Sequence, residues 1–116
     1  MIERPKNLVT KKVNFLFNKL EIHFLELDLK HINKGKGSSR DENYTGDQLE
    51  AIISLILDGR SMEVVAEKQY GVYLCKYYVL EEMFYEKCYR IVLCFCDDRP
   101  NTLGVITFFR LRGKNE

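Results

Sequence analysis

The first periodic stretch of the chain begins at Val13, and Leu16, Phe17, Leu20, Phe24, Leu27 and His31 follow at steps of three and four. That spacing stacks side chains on one face of an α-helix. Thr10 can cap such a helix, and Asn33, ahead of Gly35 and Gly37, closes it. Residues 1–9 read as a lead-in. Residues 33–46 form a polar loop rich in Gly, Ser and Asn. Thr45 followed by Gln48 reads as a capping box. It opens a second helix through Leu49, Ile52, Ile53 and Ile56, with Gly59 as its stop.

From Ser61 the pattern becomes that of strands. Residues 62–67 alternate loosely, Tyr70-Gly71 is a turn, and residues 72–80 are rich in Tyr, Val and Leu. Glu81-Glu82-Met83 interrupts the pattern before a long strand over 85–96 whose end is apolar on both faces. Asp97-Asp98-Arg99-Pro100-Asn101 is a turn, the last strand spans 104–112, and residues 113–116 are tail. The expected fold class is α+β: two N-terminal helices packed on a roughly four-stranded antiparallel meander sheet, as a single domain over 1–116.

Composition narrows the function classes. A chain of 116 residues suits one domain. Lys and Arg total 18 against 17 Asp and Glu, a net charge of +1, so any nucleic-acid contact is a local patch and not a coating charge. No apolar run approaches the roughly 20 residues that span a bilayer, and no secretory signal opens the chain. The expectation is a cytoplasmic site of action with no membrane partner. The four cysteines, Cys75, Cys88, Cys94 and Cys96, read as reduced, buried thiols. Cys94-x-Cys96 puts two sulfurs on one strand face, but no second paired motif accompanies it, so neither a metal nor a cofactor is expected.

The chemistry-bearing residues are few. His23 and His31 are the only imidazoles, able to take and give a proton near neutrality. On the expected helix they stand about 12 Å apart along the axis. In the last strand Val105, Thr107, Phe109 and Leu111 share one face, while Ile106, Phe108, Arg110 and Arg112 share the other. Arg110, flanked by apolar residues, can clamp a phosphate and stabilise charge on a pentavalent phosphorus. Lys76 is a second cation within an apolar strand. Tyr89, with Tyr73, Tyr77 and Tyr78, offers faces for base stacking, and Arg40 in the polar loop can touch an RNA backbone. There is no phosphate-binding glycine loop, dinucleotide fingerprint or H-E-x-x-H.

His23-Phe24 on a leading helix, a second helix after a polar loop, and Val105-Ile106-Thr107-Phe108-Phe109-Arg110 in the closing strand resemble the small bacterial toxin nucleases of the barnase/EndoU/colicin/RelE-like group. Some of these carry a His-Phe-x-x-His helix and a closing Ile-x-Thr-Phe-Phe strand. The second histidine of that motif falls on Leu27 here, with His31 one turn later, and the proline that often follows the closing motif is Leu111. The resemblance implies a toxin-type, metal-independent ribonuclease that cleaves RNA by 2′-hydroxyl attack. His23 or His31 would be the acid/base, and Thr107 and Arg110 would line the phosphate site. Lys76, Tyr89 and Arg40 would contact substrate. It also implies a cognate antitoxin or immunity protein, and delivery as a toxin. The alternative is a non-catalytic protein-binding domain, immunity-type or accessory, in which the histidines are scattered.

Overall fold

The computed structural model describes residues 8–34 and 44–111, so the tail, Arg40 and most of the expected lead-in and polar loop lie outside the described residues. Its elements are β1 (Val9–Phe17), β2 (Leu20–Leu27), α1 (Leu29–Lys34), α2 (Gly46–Leu57), β3 (Ala66–Tyr70), β4 (Tyr73–Phe84), β5 (Lys87–Cys96) and β6 (Thr102–Arg110). They build one six-stranded sheet in the order β1-β2-β6-β5-β4-β3. The pair β2–β6 is parallel and the other neighbours are antiparallel. This corrects the expected two helices on a four-stranded antiparallel meander.

The largest difference is that the expected first helix is a β-hairpin. Asn18 and Lys19 both adopt positive φ, 54° and 65°, between the paired Phe17 and Leu20. That is the two-residue turn whose twist matches the flanking strands. Asn18 is fixed there from outside: its Oδ1 accepts from the Met62 N–H at 2.6 Å, and its own N–H donates to the Arg60 carbonyl at 2.9 Å. The register shifts between Lys12 and Phe15. The buried positions of β2, Ile22, Leu25 and Leu27, therefore step by three and then by two, and the step of three imitates a helical spacing. Leu16, Leu20 and Phe24, which belong to the helical stripe, are exposed.

The second helix forms as its caps require. The Thr45 hydroxyl accepts from the Gln48 N–H, and the Gln48 side chain accepts from the Thr45 N–H. Asp47 in its first turn suits the helix dipole and holds the Lys11 ammonium of β1. That bond keeps the Lys11 pKa above its ordinary value. Leu49, Ile53, Ile56 and Leu57 face inward and join Phe15, Phe17, Ile22, Leu25, Tyr78, Ile91, Leu93, Val105 and Phe108 in one core. The core thus lies between α2 and one face of the sheet.

Tyr78 sits in that core with its ring edge-on to Phe17, centroids 5.1 Å apart. Burial is the main cause that pushes its phenol pKa up, and Glu67 adds to this while a hydrogen bond with Asn18 opposes it. Above the ordinary tyrosine value near 10, the unfolded chain loses this proton before the folded one does. The unfolded state then binds fewer protons, so stability falls as pH rises. The urea midpoint is expected to drop between about pH 8 and about pH 10.5, and Tyr78→Phe should reduce that drop relative to its own value at pH 8. An equal drop in the variant would show that Tyr78 does not carry the effect.

Candidate functional site: a sulfur-floored groove on the sheet face opposite α2

With α2 on one face, the opposite face of the central strands carries a groove of about 340 Å³. Side chains alternate along a strand, so the register decides what it contains. Cys75 pairs with Cys96, Tyr77 with Cys94, and Cys94 in turn with Gly104. These small residues leave a floor that bulkier residues would fill. One wall is aromatic: the Tyr70 and Tyr77 hydroxyls are hydrogen-bonded at 2.9 Å, and the Tyr70 ring stacks with Tyr73 at 5.7 Å. The other wall is charged. Arg99 is salt-bridged to Glu26, and Asp28 and His31 stand beside them. Asp28 also accepts from the His31 backbone N–H at 3.3 Å, as the start of α1 requires.

The floor holds three sulfurs. Cys75 and Cys96 form a disulfide across β4 and β5, which corrects the expectation of four reduced thiols. Cys94 lies outside the bridge, its Sγ 3.3 Å from that of Cys96. The sulfur atoms of Cys75, Cys94 and Cys96 all lie within 4.8 Å of one another, and this is the donor set here that could hold a metal ion. Two sulfurs on one strand face were legible from Cys94-x-Cys96. The third comes from a neighbouring strand and depends on the hairpin register.

The residues expected to form a nuclease site are spread over the molecule. His23 is on β2, with Nε2 3.2 Å from Glu21 Oε1 and its backbone N–H bonded to the Asn101 carbonyl just before β6. Arg110 is the last residue of β6, opposite Tyr89, so roughly 30 Å of extended strand separates that end from Asn101. Thr107 pairs with Val92; three positions from Arg110, it points to the other face of the sheet. The expected alternation of β6 is itself broken by a register shift between Val92 and Leu93. As a result Val105 and Phe108, expected on opposite faces, are both buried in the core. Tyr89 is a core residue, stacked on Phe108 at 5.0 Å. Lys76 pairs with Phe95, on the face away from Cys75. Among the described residues of this set, only His31 borders the groove. Glu26, Asp28, Arg99, Tyr70 and Gly104 were not singled out by sequence reasoning, since only the parallel β2–β6 pairing brings the charged wall to the cysteines.

No family model matches the chain, and neither a curated protein nor a solved structure is significantly similar to it. No helix among the described residues is long and apolar enough to cross a membrane.

Proposed function

We propose that the chain is a non-catalytic binding domain whose ligand, a small apolar molecule, sits in the groove on the sheet face opposite α2. The observation that carries this is a concave, sulfur-floored and tyrosine-walled space with a few polar groups gathered on one side. Small-molecule sites share that composition and typically measure about 300–1,000 Å³, and the groove, at about 340 Å³, lies in that range. A protein partner needs about 800 Å² on each side, more than one such groove supplies. The ribonuclease reading has less support. It needs an imidazole and a guanidinium at one phosphodiester; the groove offers His31, but its guanidinium, Arg99, is held by Glu26. Glu26 and Asp28 also place carboxylates where a polyanion would enter.

The test is titration with N-phenyl-1-naphthylamine, a neutral apolar fluorophore. Wild type should show saturable, one-site enhancement. A Cβ at Gly104 would meet its nearest neighbours, the Cys94 carbonyl and Cβ, at 3.4 and 3.9 Å, so a larger side chain is accommodated at its root and fills the floor. Gly104→Leu should weaken the probe at least tenfold. Val72→Ser, at a residue 98% exposed in the β3–β4 turn, should leave it unchanged. Equal binding by Gly104→Leu would remove the groove as the site. Chelator-resistant RNA cleavage lost in His31→Ala would favour the ribonuclease.

A further inference from the structure

We infer that Cys75, Cys94 and Cys96 form a redox-gated site for a thiophilic d¹⁰ metal ion, closed while Cys75–Cys96 is a disulfide and opened by its reduction. The inference stands apart from the apolar ligand proposed above; it needs only the sulfurs. A tetrahedral metal with sulfur bonds of about 2.3 Å holds its sulfurs roughly 3.8 Å apart. The three Sγ atoms already lie within 4.8 Å of one another, so breaking the bridge and turning the side chains brings them to that spacing. Their backbone positions are fixed by the strands. Cys94 and Cys96 share a face of β5 by its period of two, and Cys75 is set opposite Cys96 by the β4–β5 register. A set built on rigid strands loses little entropy on binding metal.

The donor type chooses the metal. Three thiolates favour Cu(I) or Zn(II) over harder ions. The three sulfurs leave a further coordination position on the side of the groove, which all three cysteines line. Site formation balances in two steps. A low-molecular-weight thiol supplies two electrons: two RSH and the Cys75–Cys96 disulfide give RSSR and two cysteine thiols. The metal then binds three thiolates with release of three protons. A trithiolate zinc centre carries one negative charge.

The experiment uses the full chain, reduced anaerobically with a phosphine that is then removed. Cobalt(II) reports thiolate ligation by sulfur-to-metal charge-transfer absorption, and displacement by Zn(II) or Cu(I) identifies the preferred ion. Reduced wild type should bind one equivalent and the oxidised protein none. Cys94→Ser should bind at least tenfold more weakly. Cys88→Ser, roughly 20 Å away along β5, should match wild type. Alkylation mapped by mass spectrometry gives a second readout that does not require a folded apo state. Bound metal should shield Cys75, Cys94 and Cys96 and leave Cys88 reactive. Identical titrations of wild type and Cys94→Ser, or equal uptake by oxidised and reduced protein, would overturn the assignment. So would uniform alkylation in the presence of metal.

Discussion

Phe108→Ala is expected to lower the unfolding free energy by about 3–5 kcal/mol, the range for truncating a buried aromatic. Phe108 is completely buried on β6, where it meets Tyr89 as a stacked ring at 5.0 Å and Tyr44 edge-on at 5.0 Å. Alanine removes both ring contacts as well as the transfer energy of the side chain, and each aromatic pair adds about 0.5–1.5 kcal/mol beyond area. The surroundings cannot readily close over the gap, because Phe108 stands on a strand hydrogen-bonded to β5 and its neighbours are themselves large. Domains of this kind have about 5–15 kcal/mol in total, so the variant should be largely unfolded at moderate urea. The check is the change in urea midpoint at constant m-value. A loss below about 1.5 kcal/mol would mean that the core repacks around the site.

The second large effect concerns the bridge under the groove. Replacing both Cys75 and Cys96 by alanine should cost about 3 kcal/mol, since the bridge closes a loop with a sequence separation of 21 and loop-closure entropy at that length is of that order. Wild type in strong reductant, without metal, should shift by a similar amount. If the double variant and the reduced wild type both match the oxidised protein, the bridge adds nothing that the β4–β5 ladder does not already supply. If only the reduced wild type is destabilised, the buried thiols and not the lost cross-link are responsible.

The capping box of Thr45 and Gln48 located α2 because capping is a local event and its signal lies in adjacent residues. The strands over 73–84 and 87–96 were legible in outline through their Tyr, Val and Leu content. The hairpin at the start was not. Its turn residues, Asn18 and Lys19, lack the glycine that marks such turns, and the register shift in β1–β2 turned alternation into a helix-like rhythm. Tyr85 and Glu86 form a second glycine-free turn with positive φ, 53° and 69°, whereas the sequence pointed to Glu81-Glu82-Met83. That displacement matters for the site. A two-residue turn at Tyr85–Glu86 fixes every pair up the ladder as far as Cys75 opposite Cys96, so a correct turn would have placed the disulfide too. The parallel β2–β6 pairing had no local signal. It joins residues some eighty positions apart, Phe24 with Thr102 and Leu27 with Val105, and without it Glu26, Asp28 and His31 could not be put beside the cysteines.

That same pairing bears on how the sheet assembles. Among the described residues the hairpin β1–β2 precedes the other strands in the chain, yet in the sheet it adjoins β6, the last of the six in chain order. The strands β3 to β6 follow one another in both chain and sheet and can pair locally as an antiparallel meander. The rate-limiting event in folding should therefore be the docking of β2 along β6, a non-local step of the kind that slows mixed folds. Until it occurs, the facing edges of β2 and β6 would be unpaired and open to neighbouring chains.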